Sequence, residues 1–119
     1  MMGGIAADGG LAGVTARYLR DCFRAESPPR VKELAARLGM SPLQLYRAFT
    51  RTTGMSPARY LKSRQIAFAQ RLLRETALTT NEVAYRAGFG TRATFFRLFR
   101  ELVGVTPRRF AAGWRKKRM

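Results

Sequence analysis

The sequence predicts an all-α fold of about seven helices. Three observations carry this. Apolar residues recur at three- and four-residue intervals along most of the chain, the period of a helix with one buried face. Serine–proline and threonine–proline pairs, which open helices, alternate with lone glycines, which close them. The whole pattern then occurs a second time, about 50 residues further on.

Met1 to Gly13 is rich in Gly and Ala, lacks a basic start and carries Asp8. It reads as a flexible tail over residues 1–10, not as a signal peptide. Leu11, Val14, Tyr18, Leu19, Cys22 and Phe23 then recur at helical spacing with Arg17, Arg20 and Arg24 between them, predicting an amphipathic helix from Leu11 to Ala25. Cys22 falls on its apolar face as a small core residue rather than a reactive thiol. Ser27-Pro28-Pro29 breaks the chain. Val31 to Leu38 forms a short helix whose Val31, Leu34, Ala35 and Leu38 make one stripe. Gly39 ends it, because glycine takes the left-handed conformation without a Cβ penalty.

Ser41-Pro42 opens a helix running to about Thr53 and stopping at Gly54. Ser56-Pro57 opens a longer one, to Glu75, with no internal Gly or Pro. Its apolar residues, Leu61, Ile66, Phe68, Ala69, Leu72 and Leu73, do not share one stripe, so this helix should touch neighbours on two sides. Thr79-Thr80-Asn81-Glu82 fits a capping box, and the helix it starts ends at Gly88. Another runs from about Thr91 to Val103 and stops at Gly104. Thr106-Pro107 opens the last, ending at Trp114 before a basic tail at 115–119.

Leu34-Ala35 corresponds to Val83-Ala84, Gly39-Met40 to Gly88-Phe89, Arg47-Ala48-Phe49 to Arg97-Leu98-Phe99, and Gly54 through Tyr60 to Gly104 through Phe110. The offset is 49 before the turn and 50 after it, which places one extra residue near Gly90. Each copy is a short helix, a glycine turn and a second amphipathic helix, the sequence form of a helix-turn-helix. The expected organisation is a first subdomain at 11–55, a linker helix at 56–76 and a second subdomain at 77–114.

Lys and Arg total 23 against 7 Asp and Glu, a net charge of +16, and 19 of the basic residues are Arg. A polyanion is the leading partner, nucleic acid before an acidic membrane surface. There is no histidine, Cys22 is the single cysteine, and the seven acids are spread along the chain. His-based catalysis, an intramolecular disulfide and a multi-cysteine zinc site are excluded. Neither an enzyme nor a cofactor is expected. No run approaches the roughly 20 apolar residues that span a bilayer, and a reduced, cytoplasmic protein follows.

In a helix-turn-helix the second helix presents its N-terminal half to the major groove. In the first copy Leu45 and Phe49 form the core side, leaving Leu43, Tyr46, Arg47 and Thr50 on another face. In the second, Phe95 and Phe99 are the core pair, and Arg92, Ala93, Phe96, Arg97 and Arg100 supply the outer face. Phe96 follows Phe95 directly, so the two cannot share one narrow stripe. Core and a DNA-facing place against a thymine methyl both stay open for it. Backbone N–H groups at the helix starts Ser56-Pro57-Ala58 and Thr106-Pro107-Arg108 suit phosphate oxygens, with Arg59, Arg108 and Arg109 beside them.

Glu82-Val83-Ala84, Ala87-Gly88-Phe89, Phe95 through Arg100 and Gly104-Val105-Thr106-Pro107 through Phe110 resemble the DNA-binding domain of the AraC/XylS family of bacterial transcription regulators. The resemblance covers about Leu11 to Ala111. It implies two helix-turn-helix subdomains on a long linker helix, bound to successive major-groove segments on one DNA face. It also implies activation, less often repression, through contact with RNA polymerase. Carried over, its base-contacting places fall on Leu43, Tyr46 and Arg47, and on Arg92, Ala93, Phe96 and Arg97. Phosphate contacts fall to Thr50, Ser56, Arg59, Arg100, Thr106, Arg108 and Arg109. The sequence departs from the family at Arg30, where many members place a Ser or Thr cap. It departs also at Leu43 and Phe96, apolar at places often polar or aromatic, and at Arg92, where Gln or Ser is common. The chain is expected to act as a monomer, and both a stand-alone regulator and part of a longer protein fit it.

Two other classes fit the charge: a basic RNA-binding or nucleoid-type protein without sequence preference, and a membrane-active basic helix. Specific over non-specific affinity of about 10³ or more separates a regulator from the first. Helicity complete in buffer separates it from the second.

Overall fold

The computed structural model describes residues 10–118, with side chains through Arg115. Among the described residues there are seven α-helices and no strand: α1 (Gly10–Ala25), α2 (Val31–Leu38), α3 (Pro42–Thr53), α4 (Pro57–Glu75), α5 (Thr80–Arg86), α6 (Arg92–Val103) and α7 (Pro107–Arg118). The all-α fold read from periodicity is the one adopted. Two boundaries differ from expectation. Helix α1 starts at Gly10, and the rest of the expected N-terminal tail lies outside the described residues. Helix α7 continues past Trp114 to Arg118. No Gly or Pro follows Gly113 to stop it, and cations suit a helix C-terminus.

The starts follow the caps. Ser41 Oγ accepts from the Gln44 N–H at 3.1 Å while Gln44 Oε1 accepts from the Ser41 N–H at 2.8 Å, a complete capping box on α3. Thr79 and Glu82 form the same box on α5, at 3.1 and 2.8 Å. The Thr79 N–H that the Glu82 carboxylate accepts holds its pKa below the usual carboxylate range. Helix α2 has Arg30 at its N-cap, which offers no capping oxygen. A residue of α1 supplies one instead: Tyr18 Oη accepts the Arg30 N–H at 2.7 Å and donates to Glu33 Oε1 at 2.6 Å. Burial, and then the Glu33 carboxylate, push the Tyr18 hydroxyl well above the usual tyrosine range, so it stays a donor. The Arg37 guanidinium lies 5.0 Å from the Tyr18 ring centroid and bonds Asp21 Oδ2 at 2.7 Å, completing the seam between α1 and α2.

Two hydrophobic cores result. The first joins Val14, Tyr18, Leu19 and Cys22 of α1 to Leu34, Ala35 and Leu38 of α2, Leu45 and Phe49 of α3, and Leu61 of α4. The second joins Ile66, Ala69 and Leu73 of α4 to Val83, Ala84, Phe89, Phe95, Leu98, Phe99 and Ala111. The molecule is accordingly long, 52 × 23 × 23 Å. Helix α4 touches neighbours on two sides, as its mixed stripe requires. The cores meet where Phe23 of α1 stacks on Phe68 of α4, centroids 4.3 Å apart.

The two equivalent turn glycines differ in surroundings. Gly39 has φ 66° and nothing within 4 Å of where a Cβ would stand. Gly88 has φ 81°, and a Cβ there would meet the Ser27 carbonyl oxygen at 2.8 Å. Gly39→Ala should therefore cost only the left-handed penalty, about 1–2 kcal/mol. Gly88→Ala should exceed it by about 1–3 kcal/mol, because a buried contact must also give way. Urea unfolding of the two variants checks the difference, and equal losses would show that the Ser27 contact is not tight. Tyr18→Phe should cost about 1–3 kcal/mol, since it strips the Arg30 N–H and the Glu33 carboxylate of their shared partner. A midpoint unchanged from wild type would count against this substitute cap.

Candidate nucleic-acid interface

The capping box at Ser41 fixes where α3 starts, and burial of Leu45 and Phe49 fixes how it is rolled. The opposite face must then carry Leu43, Tyr46 and Arg47. Leu43 is 57% and Tyr46 50% exposed. Arg47 is exposed as well. Thr50 is half-buried, and its hydroxyl donates back to the Tyr46 and Arg47 carbonyls at 2.9 and 3.1 Å. Its proton is thus held by the helix.

Helix α6 is rolled by Phe95 and Phe99, both fully buried. Thr91 Oγ1 caps it by accepting the Thr94 N–H at 3.2 Å. Arg92, Ala93, Arg97 and Arg100 are exposed. Phe96 takes an intermediate place: half-buried at the margin of the second core, edge-on to Phe95 at 5.7 Å, with the Arg92 guanidinium 4.8 Å from its ring centroid. The adjacent phenylalanines do diverge, but Phe96 is partly covered by protein on one side and by a cation on the other.

At the starts of α4 and α7, part of the expected phosphate-binding backbone is already used. Ser56 Oγ accepts the Arg59 N–H and Thr106 Oγ1 the Arg109 N–H, each at 3.2 Å. Proline at the next position has no N–H. The amides of Ala58 and Arg108 are not taken by these caps, nor are the hydroxyl protons of Ser56 and Thr106. Arg59, Arg108 and Arg109 are exposed beside them.

The structure adds a feature that the sequence did not reveal. The start of α4 faces α6 across a cleft of about 370 Å³, lined by Ser56, Ala58, Arg59 and Lys62 from one side and Arg97 and Glu101 from the other. Lys62 was not anticipated; its signal is the three-residue step from Arg59, which puts both on one helical face. The cleft brings Arg59 and Lys62 of α4 together with Arg97 of α6, with Glu101 as the acid among its lining residues. The five other acids of the described residues are engaged elsewhere: Asp21 with Arg37, Glu26 with Arg86, Glu75 with Arg71, Glu33 with Tyr18 and Glu82 in its cap. Chemically the cleft is a cationic, hydrogen-bond-donating groove suited to a phosphodiester oxygen.

A family model described as a helix-turn-helix domain matches residues 34–113. An HTH-type transcriptional regulator of Mycobacterium tuberculosis is 40% identical over 84 residues, 71% of this chain and 32% of that protein. The HTH-type transcriptional activator RhaS of Klebsiella pneumoniae is 34% identical over 82 residues, 69% of this chain and 30% of that protein. The chain thus spans about a third of the length of these relatives. Among solved structures, the DNA-binding domain of AdpA, a global transcriptional factor, in complex with a target DNA, superposes with a TM-score of 0.82 at 33% identity. The match covers 91% of this chain and 95% of that one. An AraC-type regulator from Chromobacterium violaceum superposes with a TM-score of 0.69 at 26% identity, covering 81% and 88%.

Arg59→Ala and Lys62→Ala should each weaken binding to every duplex by a similar factor and reduce the slope of log affinity against log salt by about 1. Titrations at several salt concentrations, on two unrelated duplexes, measure both. A change in sequence preference in either variant would mean that Arg59 or Lys62 reads bases instead of holding phosphate.

Proposed function

The chain belongs to the AraC/XylS family of helix-turn-helix DNA-binding transcription regulators, and from that premise we propose that it binds a specific duplex sequence by placing α3 and α6 in successive major-groove segments. The matched family and relatives are transcription regulators, not enzymes. No helix of the described residues is long and apolar enough to cross a membrane. The observation that carries the reading is a pair of equivalent helices, each with its core side buried, whose outward faces differ in chemistry: Leu43, Tyr46 and Arg47 on one, Arg92, Ala93, Phe96 and Arg97 on the other.

In this reading Arg47 and Arg97 grip guanine edges, and Leu43, Ala93 and Phe96 meet thymine methyls. Phe96 is reached only when Arg92 swings off its ring, which frees that guanidinium for a base or phosphate. Ser56, Arg59, Thr106, Arg108, Arg109 and Arg100 hold phosphates and set the register, and Thr50 joins them once its hydroxyl leaves the helix carbonyls. Electrostatic attraction from the +16 chain supplies affinity through counterion release. One copy of the chain suffices for an asymmetric site. Positive regulation through RNA polymerase, in the cytoplasm, is the role most consistent with the activator among the relatives.

Selection of bound sequences from random duplexes, at a stated salt concentration, tests this. An asymmetric site is expected. Arg47→Ala should relax preference in one half and Arg97→Ala in the other, each costing about 1–3 kcal/mol, and the losses should roughly add because the two residues sit on separate helices. Selection of no preferred sequence would support the non-specific reading. A palindromic site occupied by two copies would overturn the two-groove arrangement.

A further inference from the structure

The subdomains share α4, but they also touch away from it. Gln65 lies on α4 between Leu61, which belongs to the first core, and Ile66, which belongs to the second. It is 6% exposed, and its Nε2 donates to the Ala87 carbonyl at 3.1 Å, in the turn of the second motif. The next residue, Gly88, is pressed against the segment that leaves α1. A Cβ there would stand 2.8 Å from Ser27 O, 3.3 Å from Pro29 Cδ and 3.4 Å from Gln65 Nε2. That segment is itself anchored in the first subdomain, where the Ser27 N–H donates to Cys22 O at 2.9 Å. Glu26, just before it, has φ 53° and is the one non-glycine residue with positive φ among the described residues. That left-handed residue closes α1, with the Glu26 N–H bonded back to Phe23 O at 3.2 Å. Its carboxylate reaches Arg86 Nε, on α5, at 3.4 Å. The corresponding turn of the first motif has no such neighbour, since Gly39 has nothing within 4 Å of a Cβ.

We propose that the Glu26–Pro29 segment, wedged against Gly88 and locked by Gln65, is a strut that fixes the angle and separation of α3 and α6, and so sets the spacing between the two halves of the DNA site. The proposal rests on the two-groove reading. The turn that the strut meets leads directly into α6, so displacing it re-aims the second recognition helix. Adding one base pair between half-sites moves the second by about 3.4 Å and turns it by about 35° around the duplex. Contacts with no room for a methyl group do not follow such a movement unless they break. Gln65, Gly88 and Pro29 act here as positioning residues that need not touch DNA.

The test uses the whole chain and duplexes carrying the selected site, with base pairs added or removed between its halves. Wild type should show one preferred spacing, with affinity lower by about tenfold or more one base pair to either side. Gln65→Leu, which keeps the volume and removes the donor, should flatten this profile to about threefold. The Pro28→Gly/Pro29→Gly double variant, which loosens the segment and leaves the helices intact, should do the same. Thr79→Ala serves as the control: it removes a cap at the far end of α5 and should lower the melting temperature without changing the profile. A Gln65→Leu profile as sharp as wild type, or a Thr79→Ala profile equally flattened, would overturn the strut while leaving the two-groove reading standing. No preferred spacing in wild type, or no specific site at all, would overturn both.

Discussion

Everything in this molecule depends on one helix being buried twice. Helix α4 gives Leu61 to one core and Ile66, Ala69 and Leu73 to the other. Both cores therefore include side chains of this one helix. Its 19 residues span about 28 Å at the usual rise. The two motifs therefore need no flexible linker between them, because the spacer is also core. This explains why α4 lacks the single apolar stripe of the other helices, and why Gly and Pro are absent from its interior.

The repeat yields two equivalent frames, and the differences between them are where the individual character of the chain lies. The second motif caps its short helix locally, with Thr79 and Glu82. The first has Arg30 at that place and borrows the Tyr18 hydroxyl from α1. A helix end must have its orphan N–H groups satisfied by something, and here tertiary structure supplies what local sequence does not. The start of α2 thus takes its partner from α1, whereas α5 carries its own start signal. The second difference is the turn, open at Gly39 and filled at Gly88.

These differences also mark what the sequence could and could not reveal. Helix starts at Ser41, Ser56, Thr79 and Thr91 were legible because a cap is a local event: the residue and its partner lie three apart. The inward faces of α3 and α6 were legible because Leu45 and Phe49, and Phe95 and Phe99, repeat at the helical period. The Tyr18 cap, with partners 12 and 15 residues away, was not. Nor was the Gln65 bond to Ala87, 22 residues away, since a glutamine in a helix reads as an exposed residue. Gly88 reads in the sequence as the end of a helix, and its further constraint, the Ser27 carbonyl, exists only in three dimensions. At the candidate interface the outward residues of α3 stand where the period puts them. Phe96 does not follow period alone, because Arg92, one turn earlier, folds over its ring. Lys62 was within reach of the same spacing argument, but the cleft that gives it meaning arises only when α4 and α6 come together.

The charge distribution completes the physical picture. Exposed ion pairs contribute about 0–1 kcal/mol each, so pairing Asp21 with Arg37, Glu75 with Arg71 and Glu26 with Arg86 does little to hold the fold. It does decide where the field is strong. Acids spent on those pairs and on caps are unavailable to neutralise Arg47, Arg59, Lys62, Arg97 and Arg100. A net charge of +16 on a chain of this size repels itself and destabilises the compact state. A polyanion laid along the cationic residues removes that repulsion at the moment it binds. Any ligand that binds only the folded state stabilises it, so for this chain folding and recognition draw on the same electrostatic term. The fold tolerates its charge because the packing of the two cores around α4 does not depend on it.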